Sequence, residues 1–298
     1  MALLEAWGEH PSVRETLAEA SNILGEDVAR LIREGPKEVL ELTNNTQPVM
    51  LAAGLACYRA WIAHTGQVPA FLAGHSLGEY TALVASGSLR FADALPLVRF
   101  RAQAMQAAVP AGVGAMAAVL GLDAGAVRDA CAELSAKSSE VVEAVNFNDP
   151  KQIVIAGTKA GVEMACELLK ARGAKRALPL AVSAPFHSSL MKPAAERLKT
   201  RLAVTPFAEP RIPVINNVDV EINTDPQAIR DALYRQAFWP VRWVELVHSL
   251  HLHGVARVVE CGPGKVLAGM VKRIDPEIAV ANVFDPASLA AAAQGVVA

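Results

Sequence analysis

Residues 69–83, PAFLAGHSLGEYTAL, constrain the fold more than any other stretch of this chain. The apolar run at 68–74 reads as a short buried strand, and 77–86 carries a helical pattern that Gly87 ends. Between them stands Gly74-His75-Ser76-Leu77-Gly78, a G-x-S-x-G turn. A strand that turns so sharply into a helix exposes the central serine hydroxyl. Glycines flank it because side chains there would collide with the neighbouring strand or helix. The helix then aims its unpaired N–H groups and positive dipole end at the serine, which makes the Leu77 N–H a natural oxyanion donor. The pattern recurs by chance in many chains, so alone it reads equally well as an ordinary strand-to-helix turn.

The rest of the chain fits a mixed fold. Up to Ala63 it reads mainly helical, with helical spacing at 12–24, a break at Gly35-Pro36 and a helix entry at Thr46-Gln47-Pro48. Residues 92–108 form another helix, where Pro96 is acceptable only in the first turn. Strands at 115–120, 141–146, 152–156 and 177–182 interleave with helices at 124–136 and 161–172. That β-α-β-β-α-β order is the ferredoxin-like plan, a subdomain with its own core. Helices at 190–203, 226–237, 240–253 and 264–273 and strands at 212–216 and 255–259 follow. Alternating strands and helices on either side of the insert imply one α/β domain with a parallel sheet. The division is 1–111 with 183–298 for the main domain and 112–182 for the insert, and the Ala-rich tail 287–298 is expected to fray.

With 52 % hydrophobic and 19 % charged residues, the 298-residue chain can bury a sizeable core. A net charge of -2 gives no argument for a nucleic-acid partner. Cys57, Cys131, Cys166 and Cys261 lie far apart, which fits neither a zinc site nor a disulfide framework; buried reduced thiols are expected. Charged residues interrupt every apolar run before it reaches membrane-spanning length. MALLEAWGEHP lacks the basic-then-apolar layout of a secretory signal, so a soluble, cytoplasmic protein is expected.

A serine needs a base within hydrogen-bond reach before it can act as a nucleophile. His75 is adjacent in sequence, but neighbouring side chains at such a turn point in different directions. His248, His251 and His253 sit in HSLHLH on a helix with no carboxylate or cysteine at metal-ligand spacing, and read as surface or packing residues. His187 lies in VSAPFHSSLM, an irregular stretch where the chain re-enters the main domain, the kind of junction where sites assemble. Gly262-Pro263-Gly264-Lys265 has the wrong spacing for a phosphate loop and reads as a turn feeding the last helix. Arg101, near Arg99 on one helix, reads on its own as a surface arginine.

Taken in order, Gly74-His75-Ser76-Leu77-Gly78-Glu79, Arg101 in VRFRAQAMQ, VNFNDPKQIVIAG, Ser183-Ala184-Pro185-Phe186-His187, PVINNVDV and Glu260-Cys261-Gly262-Pro263-Gly264-Lys265 carry a likeness. The chain resembles the malonyl-CoA:acyl carrier protein transacylases of type II fatty acid synthesis over nearly its whole length. The resemblance implies a hydrolase-like α/β main domain with an inserted ferredoxin-like subdomain. It makes Ser76 the acylated nucleophile, His187 its general base and acid, and Arg101 the clamp on the malonyl carboxylate. Gln47 matches a glutamine lining the family's site, and Gln236 the residue whose main-chain carbonyl orients the base. Asn148 matches an asparagine near the site, and Phe186 would narrow the acyl pocket.

The resemblance also implies malonyl-CoA and acyl carrier protein as substrates, with no metal or redox cofactor, no membrane and a monomeric state. An acidic carrier would dock on Lys175, Arg176, Lys192, Lys199, Arg201, Lys272 or Arg273, which otherwise read as solvated charges. The family's Gly-Gln-Gly-Ser-Gln segment, with a central strand and a second oxyanion donor, has no match here; its loss is expected to expose apolar surface on neighbouring strands. Three alternatives accompany this reading: an acyltransferase for a polyketide or malonate decarboxylase system, a serine esterase, and a non-catalytic carrier-protein-binding paralogue.

Overall fold

The serine turn sits at the end of a very short strand, and its surroundings are mostly helical. The computed structural model describes residues 4–40, 42–110, 112–182 and 184–295. Ser183 and residues 296–298 thus lie outside the described residues. The strands are β1 (Leu72–Ala73), β2 (Gly114–Leu120), β3 (Val142–Asp149), β4 (Gln152–Thr158), β5 (Arg176–Pro179), β6 (Val214–Ile215), β7 (Arg257–Cys261) and β8 (Ala279–Val283).

The longest helix, Thr43–Thr65, runs through the main core. Its buried face includes Ala52, Ala53, Ala56 and Ala60, all fully buried, and such small side chains let neighbouring helices approach closely. The helix begins before the expected entry at 46–48, because Leu42 is already extended and its carbonyl accepts from Asn45 and Thr46. Pro48 therefore lies in the second turn. Pro96 does the same in the helix Phe91–Gln106, contrary to the first-turn expectation. Each proline lacks the N–H that a second-turn residue would donate to the carbonyl four residues back, so each helix forgoes one ladder bond there.

The parallel sheet is present as two separate pairs rather than one continuous layer. β1 pairs with β6 and β7 with β8, both parallel. Strand β8 and its pairing escape the sequence pattern altogether. Between β1 and β7 lies an apolar cleft of about 1070 Å³, walled by residues 68–74 on one side and 256–261 on the other. Strands inside an α/β layer are normally buried on both faces. Here every residue of β1 and β7 is only half-buried.

The segment from β2 to β5 forms an antiparallel sheet in the order β3-β4-β2-β5, backed by the helices Ala124–Lys137 and Lys159–Ala171. Asp123 and Thr158 cap those helices by accepting the N–H groups of Ala126 and Gly161. Ile153, Ile155, Leu169 and Val127 are fully buried between the layers. Two bonds, Phe147 N–H to Val241 O at 3.0 Å and Val241 N–H to Val145 O at 2.8 Å, tie this sheet to the main body. The last strand is shorter than the expected 177–182 and ends at Pro179.

The Ala-rich tail does not fray along its described length. Asp285 and Ser288 form a capping box, and the helix Pro286–Gln294 buries Leu289 and Ala292. Among the described residues no helix is long and apolar enough to cross a membrane.

Candidate active site

The serine turn has the geometry its two glycines suggest, but only one glycine is required by space. A Cβ on Gly74 would lie 2.0 Å from the Gly78 carbonyl carbon and oxygen, so the helix start closes over it. Gly78 has nothing within 4 Å of such an atom; the expected collision is absent there. Ser76 takes φ +51 and ψ -107, a conformation costly for any residue with a side chain. It caps the helix Leu77–Ala85, whose first residue leaves the Leu77 N–H without an intrahelical acceptor.

His187, also at positive φ (+66), reaches back to the serine. Its Nε2 lies 2.8 Å from Ser76 Oγ, and its Nδ1 lies 2.7 Å from the Gln236 main-chain oxygen. A carbonyl can only accept, so this contact assigns the proton to Nδ1 and leaves the Nε2 lone pair for the serine. Burial and the nearby Arg101 push His187 down to about 3, which keeps the ring neutral and able to accept at neutral pH.

Arg101 is 2 % exposed rather than a surface residue. Its Nη1 donates to Gln47 Oε1 (2.6 Å), and its Nη2 donates to Ser76 Oγ (3.2 Å) and Gln236 Oε1 (3.1 Å). Among the described residues Nε has no partner, and every bonded acceptor is neutral. Burial lowers its pKa, yet arginine stays charged. A buried guanidinium bonded only to neutral acceptors has the fork geometry that can pair with a carboxylate.

Apart from Gln236, which lies fully buried behind it, all the sequence-derived site residues line the cleft between β1 and β7. Asn148 is one residue removed from the chemistry: its Oδ1 bonds His75 Nε2 at 2.8 Å. His75 is thereby fixed against Trp243, 5.6 Å between ring centres, and burial lowers its pKa. His75 does not reach Ser76 as a base. Phe186 packs against Met116, Val145 and Val154 next to His187.

Two residues without an assigned role from sequence support the turn. Asn217 accepts the Ser76 N–H (2.7 Å) and donates to Gly74 O (2.8 Å), clasping the turn from both sides. Glu79 accepts from Asn217 N–H (2.9 Å) and Gln236 Nε2 (2.8 Å). Both sit in quoted motifs, but their partners lie far away in sequence.

Elsewhere, tertiary packing supplies carboxylates that spacing did not foretell. His251 Nδ1 lies 2.8 Å from Asp275 and Nε2 lies 3.9 Å from Glu277. Each ring nitrogen faces a different carboxylate, and the ligand atoms of the three residues lie within 4.8 Å of one another. The seven basic docking candidates are all exposed, and Arg273 is bonded to Asp149 at 2.7 Å. Three cysteines are buried as expected; Cys261 is half-buried on the cleft wall.

Residues 7–284 match the acyl transferase domain family. The malonyl CoA-acyl carrier protein transacylase of Escherichia coli O157:H7 is 50 % identical over 290 residues, 97 % of this chain and 93 % of that protein. A crystal structure of an acyl-carrier-protein S-malonyltransferase from Burkholderia pseudomallei is 62 % identical, with TM-score 0.96 over 99 % of this chain and 95 % of that one. A malonyl-transacylase in complex with its type II polyketide acyl-carrier protein is 47 % identical, with TM-score 0.96 and the same coverage of both chains. The chain therefore belongs to the acyl transferase domain family and, within it, to the malonyl CoA-acyl carrier protein transacylases.

Proposed function

We propose that this enzyme moves a malonyl group from malonyl-CoA to the phosphopantetheine thiol of an acyl carrier protein, by way of a malonyl-serine, and so supplies fatty acid synthesis. The observation that carries the reading is the junction of two contacts on one hydroxyl. Ser76 Oγ meets the His187 lone pair at 2.8 Å and the Arg101 fork at 3.2 Å.

His187 takes the Ser76 proton as the oxygen attacks the thioester carbon. The Leu77 N–H, at the positive end of its helix, holds the developing oxyanion. His187 then gives its proton to the departing CoA sulfur. The Gln236 carbonyl keeps the ring oriented throughout and stabilises its charged form. The carrier thiol attacks malonyl-Ser76 in turn, losing its proton to His187, and collapse of the second tetrahedral species returns a proton to Ser76. Each proton and charge has a protein group assigned to it, so the reading calls for no metal or redox cofactor. It expects a cytoplasmic monomer in which 112–182 is an inserted subdomain of a main domain made by 1–111 and 183–298.

The direct test is transfer itself. Malonyl-CoA with a holo-carrier protein should yield malonyl-carrier faster than free malonate; release of malonate alone would indicate an esterase. Within the same site, Phe186→Ser enlarges the acyl pocket beside His187. Since one methyl group in an apolar pocket changes rates by about 10- to 200-fold, the ratio of methylmalonyl to malonyl transfer should rise at least about tenfold. An unchanged ratio discards Phe186 as the selectivity residue.

A further inference from the structure

Two opposite charges are buried beneath the Ser76 turn without touching. Glu79, in the first turn of the Leu77–Ala85 helix, and Arg101, on the neighbouring Phe91–Gln106 helix, are each 2 % exposed. Gln236 stands between them, its Oε1 accepting from Arg101 Nη2 at 3.1 Å and its Nε2 donating to Glu79 Oε2 at 2.8 Å. The other bonded partners of both charges, Gln47, Ser76 and Asn217, are neutral. An ion removed from water is costly unless an opposite charge offsets it.

Among the described residues the surroundings offer no better counter-charge. The Tyr80 ring lies 5.4 Å from the guanidinium, and burial pushes its hydroxyl up to about 12, so it stays neutral. His187 and His75 are held neutral by burial. Asp219, from the loop after β6, is already held by both terminal Arg235 nitrogens at 2.6 and 2.7 Å. It is also negative, and so works against an ionised Glu79.

We propose that Glu79 is the internal counter-charge of Arg101, set aside when a substrate carboxylate arrives. In the empty site ionised Glu79 balances the guanidinium across Gln236. When the malonyl carboxylate pairs with Arg101, one solvent proton adds to Glu79, and the buried group of three charges stays neutral. The inference rests on Arg101 as the carboxylate receptor. It gives that residue a partner that lowers the cost of holding an unpaired arginine between turnovers. It also preserves the Gln236 amide orientation, because neutral Glu79 can still accept from Nε2.

The proton is within reach near neutral pH, since desolvation raises Glu79 to about 7 despite Arg101. A second negative charge in the site raises it further. Between those two values malonyl binding consumes a proton, so the preference for malonyl over acetyl falls as pH rises. Below the lower value Glu79 is protonated with or without substrate, and the preference is flat.

Glu79→Gln removes the charge while its amide oxygen can still accept both bonds. Acylation of Ser76 is followed by intact mass with malonyl-CoA and with acetyl-CoA, from about pH 6 to about pH 9. In the wild-type protein the malonyl-to-acetyl rate ratio should decline above about pH 7, by up to tenfold per unit, and in Glu79→Gln it should be flat. The same decline in both proteins overturns the proposal. If the variant does not fold, proton uptake is measured on Ser76→Ala by calorimetry at about pH 8, in two buffers of different ionisation enthalpy. Close to one proton taken up with malonyl-CoA and none with acetyl-CoA supports the proposal; equal uptake overturns it. A protein with no malonyl preference at any pH overturns the Arg101 reading itself, and this inference with it.

Discussion

Replacing Arg101 with alanine should lower malonyl acylation of Ser76 by roughly 10² to 10⁴ while leaving acetyl acylation within about tenfold of its original rate. The malonyl carboxylate would then enter a closed site without its partner, and a buried charge deprived of its mate costs about 3–5 kcal/mol. Acetyl-CoA carries no such charge, so it loses nothing at the clamp. In the wild-type protein the preference runs the other way, because acetyl leaves the guanidinium without a directly paired carboxylate. Arg101→Lys keeps a charge but not the fork that now spans Gln47, Ser76 and Gln236, and should fall between the two. The measurement is kcat/KM for both thioesters on all three proteins. Parallel losses for malonyl and acetyl would show that Arg101 supports the turn and does not select substrate.

Ser76→Ala should remove the acyl-enzyme and reduce transfer by about 10⁴ to 10⁶, the range seen when a nucleophile acting in concert with its base is lost. The protein should still bind CoA thioesters, because Asn217 holds the Ser76 and Gly74 main chains through bonds that alanine keeps. Ser76→Gly should be equally inactive yet melt at a higher temperature than Ser76→Ala, since glycine tolerates φ +51 without strain. Thermal unfolding of the two variants checks this; equal midpoints would mean that the turn is not strained.

Much of this site was legible because its chemistry is written in local patterns. Gly74 marks the turn, Leu77 the helix start, and the loop around His187 a junction between structural units. The ferredoxin-like order was readable because its strands and helices each span enough residues to show their periods. What the sequence hides is what depends on distant partners. Arg101 alone looks solvent-exposed, and only packing reveals it beneath Tyr80 and between two glutamines. Glu79 and Asn217 belong to motifs, but their bonds cross more than a hundred residues of chain. The strands read at 68–74 and 212–216 shrink to two residues each in β1 and β6, because strand length is set by pairing with distant chain and not by the local apolar run. β8 is short as well, and it borders the helix of an Ala-rich tail that looked featureless. That helix was signalled all the same by Asp285 and Ser288, a capping pair that composition obscured. Gly78 taught the opposite lesson, since a motif glycine was credited with a steric role that the fold does not require.

The measurement that tests the central claim most directly is the mass of the intact protein after brief incubation with malonyl-CoA, beside acetyl-CoA and Ser76→Ala. A single malonyl adduct that maps to Ser76, absent from the variant and much reduced with acetyl-CoA, is the expected result. An adduct on another residue, or equal labelling by acetyl and malonyl, would contradict it.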